Sequence, residues 1–382
     1  MIETAIIKDI KTGQVNYLPD PKTSKIAVAM SGGVDSSAAL SILKDLGYEV
    51  IGITAWIISG SGRCCDNGVV DAVKVCDQLG VQHHALDLRK AFAEGIIKEF
   101  HQSYARGETP IPCISCNNDV KWGSLLAYSI EKLGATHMAS GHYAKLGLDD
   151  GHFNLLRPKE ANKDQSYMLW GLTQEQLSRT VFPLADFNKD EVREIATKAG
   201  LCVANKPESQ DICFVSNDMT NSDYLTKILG EKPGDIIEVE SGKVLGRHNG
   251  SFNYTYGQRK GLGIAYSEPL YVIKIDPLTN IVYVGTKEKM FGQEAKAKDR
   301  NIIARIASNS FQAMVKVRYN MEAVPATVTL TDEFNGTGIE IEFHEPVSAI
   351  TPGQAAAFYD YETGQELIGG AWIVSSKLEN KI

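Results

Sequence analysis

Ser31-Gly32-Gly33-Val34-Asp35-Ser36-Ser37 follows the apolar run Ile26-Ala27-Val28-Ala29-Met30 and precedes Ala38-Ala39-Leu40-Ser41-Ile42-Leu43. The order reads as strand, tight turn and helix. Two adjacent glycines allow a positive φ and a close backbone approach to a ligand, while the serines and the aspartate offer N-cap oxygens to the helix. The amides of a helix start and the positive end of its dipole favour an anion there, so a phosphate-sized ligand is expected beyond the strand's carboxyl end. The stretch is neither a Walker loop, which needs Lys-Ser or Lys-Thr at the helix start, nor a dinucleotide fingerprint of spaced glycines.

Outward from this turn, strands and helices alternate. Glu49–Trp56 reads as a strand, followed by an amphipathic helix ending near Leu79-Gly80, a strand over Val81–Leu88 and a helix from Lys90 to Arg106. A Thr109-Pro110-Ile111-Pro112 loop, a helix from Asn117 to Leu133 and a strand over Thr136–Ser140 complete the pattern. Such alternation predicts a doubly wound parallel sheet with its ligand at the strands' carboxyl ends. A hairpin follows Gly147, and a helix over Lys189–Ala199 stops at Gly200. After Phe214 the texture changes to a short helix near Asp223–Leu229 and to Gly- and Lys-rich strands, and from about Ala295 to alternating β-branched residues that predict a closed β-barrel. The expected division is an N-terminal extension over 1–24, a catalytic α/β domain over 25–213, a small central α+β domain over 214–292 and a C-terminal β-barrel domain over 293–382.

A chain of 382 residues holds two or three cores, and 43% hydrophobic with 23% charged residues is ordinary for a globular protein. The start Met1-Ile2-Glu3-Thr4 has no signal-peptide or transit-peptide character, and no apolar run reaches membrane-spanning length, so the expected location is cytoplasmic with no membrane partner. The net charge of −8 does not advertise nucleic-acid binding, although a local basic patch can supply it. Seven cysteines without an export signal point to thiol chemistry or metal binding rather than a disulfide framework.

Cys113-Ile114-Ser115-Cys116 sits on the Pro-containing loop directly before a helix, where the dipole lowers a thiol's pKa. Spacing alone leaves a redox pair, half a metal site or two inert small residues open. A structural zinc would need a second pair, and the adjacent Cys64-Cys65 chelate poorly. Cys213, in Ser209-Gln210-Asp211-Ile212-Cys213-Phe214, reads by itself as a buried cysteine. Cys76 lies on an apolar helix face, Cys202 follows a helix end, and the neighbours His83-His84 on a strand point to opposite faces, so all are expected to be structural.

Taken together, these stretches resemble a known family. Ser-Gly-Gly-x-Asp-Ser is similar to the pyrophosphate-binding loop of the PP-loop ATP pyrophosphatases. Ser209–Phe214 and Pro-x-x-x-Cys-Asn-x-x-x-Lys, here Pro112 to Lys121, are similar to the tRNA-specific 2-thiouridylases. So are Gly141-His142-Tyr143-Ala144, Lys163-Asp164-Gln165-Ser166-Tyr167, Tyr254–Leu262, Arg318-Tyr319 and Pro352-Gly353-Gln354. The resemblance runs from about Lys25 to the C-terminus.

It implies ATP-dependent 2-thiolation of the wobble uridine of tRNA. Ala29, Met30, Ser31, Gly32, Gly33, Val34, Asp35 and Ser36 would hold ATP, with Asp35 near Mg²⁺, and Ala55 and Gly141 would approach the nucleotide. The uracil O2 would attack the α phosphate, which makes C2 electrophilic. Cys213 would carry sulfur as a persulfide from a relay protein or a cysteine desulfurase, and Cys116 would release it or close a disulfide with Cys213. Ile111, Pro112, Cys113, His142, Lys163, Asp164, Gln165, Arg318, Tyr319 and Gln354 would contact the tRNA, whose target base must be extruded. A basic run, Lys287, Lys289, Lys296, Lys298 and Arg300, would extend that surface.

One departure stands out: many members have Asp where this chain has Cys113. A thiol can substitute there, or Cys113, Cys116 and Cys213 can supply three ligands of an iron–sulfur cluster, the less favoured reading. No other metal site is expected. The competing functions are a PP-loop amidase or synthetase with a nitrogen nucleophile, which needs no second thiol motif, and a non-catalytic tRNA- or nucleotide-binding module.

Overall fold

The computed structural model describes residues 16–59, 66–207, 212–216 and 218–376. Cys64, Cys65, the Ser209-Gln210-Asp211 part of the second cysteine motif and most of the N-terminal extension lie outside the described residues. The chain forms two compact units, one of Met1–Ile96, Cys113–Ser216 and Gln365–Leu367, the other of Ile97–Pro112, Asn217–Gly364 and Ile368–Ile382.

The first unit carries the expected parallel sheet. Its strands are β1 (Lys25–Ala29), β2 (Glu49–Trp56), β3 (His83–Asp87), β4 (His137–Ser140) and β5 (Thr180–Val181), in the order β3-β2-β1-β4-β5. Every pairing in it is parallel. The central strand is apolar because both its faces are covered, and Ile26, Ala27 and Val28 are fully buried. Helix α1 (Val34–Asp45) returns along the sheet with Val34 and Ser36 to Leu43 all buried, α2 (Asp66–Gln78) follows β2, and α3 (Lys189–Lys198) packs beside α1. α3 starts at a reciprocal cap in which Asn188 and Glu191 each bond the other's backbone amide. The chain leaves β1 towards β2 and β3 on one side and places β4 on the other, so the carboxyl ends of β1 and β4 flank the topological switch point where a ligand crevice opens. The described part of the N-terminal extension docks on this unit: Tyr17 N donates to Leu146 O at 2.6 Å and Tyr48 Oη to Pro19 O at 2.5 Å.

Two local expectations differ. Gly32 alone has a positive φ, +70°, whereas Gly33 is extended at −100°. The cysteine pair is not on a loop before a helix but inside one. Pro112–Ser115 forms its opening turn, as proline's fixed φ allows, Cys116–Leu125 winds as a π-helix and Leu126–Glu131 ends it as an α-helix.

The second unit contains a four-stranded sheet of Gly234–Glu238, Val244–His248, Tyr271–Asp276 and Ile281–Gly285, with a core of Ile236, Val272, Ile275, Val282 and Val284. It also contains a six-stranded barrel. Phe291–Ile302, Ser310–Lys316, Val324–Thr331, Gly338–Ser348, Ala355–Asp360 and Glu366–Ser376 close on themselves where the first strand pairs with the last. Alternation in Ala326-Thr327-Val328 and Ile339-Glu340-Ile341 turns Ala326, Val328, Ile339 and Ile341 into the barrel, beside Phe343 and Phe358. Among the described residues no helix is long and apolar enough to cross a membrane.

Candidate active site

The loop after β1 holds its own shape without closing its helix start. Ser36 and Ser37 send their hydroxyls back to the Gly33 carbonyl at 3.2 and 2.8 Å, and Ser36 Oγ accepts from Ser31 N at 3.2 Å. The serines therefore do not cap α1 as expected. Its N-cap residue is Gly33 and no side chain caps it, which leaves the helix start to an external anion. A Cβ on Gly32 would fall 2.3 Å from Gly68 O, and one on Gly141 would fall 2.6 Å from Ser36 N. Gly141, the residue after β4, thus owes its identity first to contact with the start of α1.

Asp35 stands in the first turn of α1. Its Oδ1 accepts from Lys189 Nζ at 2.6 Å and from Tyr143 Oη at 3.1 Å. Lys206 Nζ donates to Gly32 O at 2.8 Å and to Asp71 Oδ2 at 2.7 Å, which ties the loop to α2. Neither lysine was singled out by the sequence; both lie more than 150 residues from the loop, and no local pattern marks a lysine that folds back onto it.

Beyond the ends of β1, β2 and β4 lies a cavity of about 250 Å³. Ala29, Met30, Ala55 and Ile57 give it an apolar wall interrupted by Thr54, while Ser31, Asp35, Ser36 and Gly141 supply the loop side. Cys116, Lys121, His142 and Gln165 complete it. The ATP-loop residues and the first cysteine motif, 80 residues apart, thus share one cavity. Cys213 is half-buried and is not among the residues lining it. Its neighbour Phe214 packs edge-on against Phe92, ring centroids 6.0 Å apart.

His142 accepts or donates at both nitrogens, with Ser140 Oγ 2.8 Å from Nδ1 and Lys121 Nζ 3.4 Å from Nε2. Burial first, and then the Lys121 charge, hold its pKa well below the ordinary imidazole value, so it is neutral. Lys121 also donates to Asn117 Oδ1 at 2.9 Å, and Asn117 Nδ2 to Met168 O at 2.8 Å.

The remaining expected tRNA residues are spread over both units. Asp164 is buried and its Oδ1 accepts from Ser166 N and Oγ at 2.9 and 2.6 Å, while Gln165 Oε1 accepts from Tyr143 N. Lys163 ends a short turn beside them. In the second unit, Arg318 Nη2 donates to Tyr256 O at 2.7 Å, and Gln354 Nε2 to Thr109 O at 2.6 Å, two residues before Ile111; Tyr319 lies beside the Lys316 ammonium. Cys113 is exposed. Much of the expected basic run is neutralised: Lys289 pairs with Glu240, Lys296 with Glu333 and Glu340, and Lys298 with Asp299. Cys76 is buried, which pushes its thiol up to about 12 and makes it inert.

No disulfide links the described cysteines, so the expected Cys116–Cys213 bond is absent from this state of the chain. Among the described residues no three or more His, Cys, Asp or Glu side chains gather into a metal-holding group.

The model of the tRNA methyl transferase HUP domain matches residues 24–217, that of the tRNA methyl transferase PRC-barrel domain residues 222–286, and that of the aminomethyltransferase beta-barrel domain residues 292–373. A tRNA-specific 2-thiouridylase MnmA of Nostoc punctiforme is 44% identical over 352 residues, 91% of this chain and 98% of its own. The chain belongs to the tRNA-specific 2-thiouridylase family. A second 2-thiouridylase, from Synechococcus sp. (strain JA-2-3B'a(2-13)), is 43% identical over 93% of this chain and 96% of its own length. Among solved structures, a U34-tRNA thiolase NcsA from Methanococcus maripaludis with its [4Fe-4S] cluster aligns over 50% of this chain and 60% of that one, at 19% identity and a TM-score of 0.34. In this 2-thiouridylase the cavity gathers a glycine turn with an uncapped helix start, an apolar wall and a cysteine.

Proposed function

We propose that the chain thiolates C2 of the wobble uridine of tRNA at the cavity beyond β1, β2 and β4. The observation that carries this reading is that Cys116 and the Ser31–Ser36 loop line the same cavity. ATP lies with its pyrophosphate on the amides from Ser31 to Ser36 and its base along Ala29, Met30 and Ala55, with Gly141 close to the α phosphate. Asp35 offers the hard oxygen that Mg²⁺ takes, and both its present contacts fall on Oδ1; Asp35 and the ATP phosphates would hold the ion, which neutralises phosphate charge. The uracil O2 attacks the α phosphate, pyrophosphate leaves, and C2 now bears AMP as a leaving group. A relay protein or a desulfurase loads Cys213 as a persulfide; the Cys116 thiolate attacks its inner sulfur, the S–S bond of the persulfide breaks to release hydrosulfide, and a Cys116–Cys213 disulfide forms that a cellular thiol reductant reopens. The hydrosulfide attacks C2, and AMP departs.

The same proposal includes tRNA contacts by Ile111, Pro112, Cys113, His142, Lys163, Asp164, Gln165, Arg318, Tyr319 and Gln354. The contacts that Asp164, Arg318 and Gln354 make within the chain suggest that they act by shaping the surface. The reading includes a cytoplasmic site of action.

The test combines the protein with unmodified tRNA, ATP, Mg²⁺ and a desulfurase-supplied sulfur source, and separates the RNA on a gel that retards thiolated species. A retarded band that requires ATP and is lost in Cys116→Ser and Cys213→Ser is expected. No band with the wild-type protein rejects the function, and an unchanged band with Cys213→Ser rejects the persulfide route.

A further inference from the structure

The winding of the cysteine helix decides which side chain stands next to Cys116. Residues five apart in an α-helix point roughly 140° away from each other at 3.6 residues per turn. Cys116–Leu125 is π-helical instead, and a π winding, whose hydrogen bonds run from residue i to i+5, brings such residues onto one face. Cys116 and Lys121 accordingly line the same cavity. Lys121 is held there by two acceptors. Asn117 Oδ1 lies 2.9 Å from its ammonium, and Asn117 is itself fixed by the bond from its amide to Met168 O. The second acceptor is His142 Nε2 at 3.4 Å. A neutral imidazole can accept there only if its proton is on Nδ1, where Ser140 Oγ receives it at 2.8 Å. Two of the three ammonium protons are thus engaged by neutral groups, and the third is left for the cavity.

Among the described residues, the one carboxylate on the cavity wall, Asp35, pairs with Lys189 and not with Lys121, and His142 is an acceptor already in use. An ammonium that is half-buried without a carboxylate partner is costly unless an anion arrives.

We propose that Lys121 is a catalytic residue: its ammonium is the counter-charge for sulfur in the cavity, holding Cys116 as a thiolate and facing the sulfur that is delivered to C2. The inference rests on the thiolation reading and adds to it the group that makes its sulfur anionic. The thiol's proton passes to solvent, and no other bond changes. The π winding is the device that places the charge, since an α-helix of the same sequence would turn Lys121 away from Cys116.

The experiment compares wild type, Lys121→Met and Lys121→Arg in two assays. In the first, thiolation is measured at varied ATP. Lys121→Met is expected to lower kcat about 100-fold, the cost of losing one charge-stabilising donor, with KM for ATP unchanged. In the second, peptide-resolved alkylation of Cys116 by iodoacetamide at pH 7 is followed without tRNA or sulfur donor. Lys121→Met is expected to slow it about tenfold, one unit of thiol pKa, and Lys121→Arg to keep most of the wild-type rate. Unchanged kcat or unchanged Cys116 alkylation in Lys121→Met overturns the proposal. So does a raised KM for ATP at unchanged kcat, which would make Lys121 a nucleotide ligand. If the methionine variant folds poorly, Lys121→Arg decides: it keeps the charge, and loss of Cys116 reactivity in a folded arginine variant overturns the proposal. Failure of wild type to thiolate tRNA would reject the function while leaving the alkylation result readable.

Discussion

The ammonium of Lys206 lies 2.8 Å from the carbonyl oxygen of Gly32, the one residue of the Ser31–Ser37 turn with a left-handed backbone. The same nitrogen reaches Asp71 Oδ2 at 2.7 Å, and Gly32 itself presses against Gly68 at the start of α2. The turn is therefore clamped from outside, by a residue seven positions before Cys213. Lys206→Met should raise KM for ATP about tenfold, the equivalent of one charged hydrogen bond of ~1.5 kcal/mol, measured by initial rates at varied ATP. Lys206 and Asp71 are both partly exposed, so only a small loss of global stability is expected in a urea titration.

Lys189 is the first residue of α3, where the helix dipole disfavours a cation, yet its ammonium sits 2.6 Å from Asp35 Oδ1. The pair joins the starts of α1 and α3 beside the Ser31–Ser37 turn. Lys189→Met and Asp35→Asn should each impair ATP-dependent thiolation. Their effects should not add: a double-mutant cycle on kcat/KM is expected to give a coupling of ~0.5–3 kcal/mol, and strict additivity would mean that the contact has no role in turnover.

At Gly141 the close approach is to backbone, which cannot swing aside. A methyl group there would meet Ser36 N at 2.6 Å and Asp35 C at 2.8 Å. Gly141→Ala should cost about 1–3 kcal/mol in urea unfolding and displace the start of α1, so ATP-dependent thiolation should fall even at temperatures where the variant stays folded. A variant with wild-type kinetics would show that β4 can retreat from α1.

His142 gives stability a pH dependence of definite sign. Burial, and next the charge of Lys121, depress its folded pKa below the ordinary value near 6.5, so below that pH the unfolded chain binds a proton that the folded chain refuses. Its contribution is complete above about pH 6.5 and is lost as pH falls towards the lower folded value. Burial depresses His83, His101, His137 and His248 in the same direction. The unfolding midpoint in urea should therefore drop on going from pH 7 to pH 5, and His142→Gln should shrink that drop. An equal drop in wild type and variant would assign it to the other histidines.

Much of this architecture was legible because it is periodic or local. The run Ile26–Met30 is apolar throughout because it is buried on both faces, so it reads as the central strand of a parallel sheet without any knowledge of its neighbours. The barrel strands alternate for the same kind of reason, with Ala326 and Val328 inward and Thr327 and Thr329 less buried. The glycines of Ser31–Ser37 marked a turn between strand and helix, which is where the structure has it.

Tertiary structure decided what those residues do with their atoms. The serines looked like caps but bond back to the Gly33 carbonyl, a local backbone acceptor three and four residues earlier that satisfies their hydroxyls without the helix amides. The Cys113–Cys116 pair looked like a loop, since nothing in its composition distinguishes an irregular segment from a helix wound with the rarer π repeat. Lys189 and Lys206 were two lysines among many until the fold brought each to a specific oxygen, and Lys121, visible only as the last residue of the cysteine motif, gained its partners Asn117 and His142 there. Sequence determines which residues are buried and which turns are possible, because those depend on local polarity and backbone freedom. Which distant charge meets the Ser31–Ser37 turn depends on how α2, α3 and the cysteine helix pack around β1, and only the folded chain contains that information.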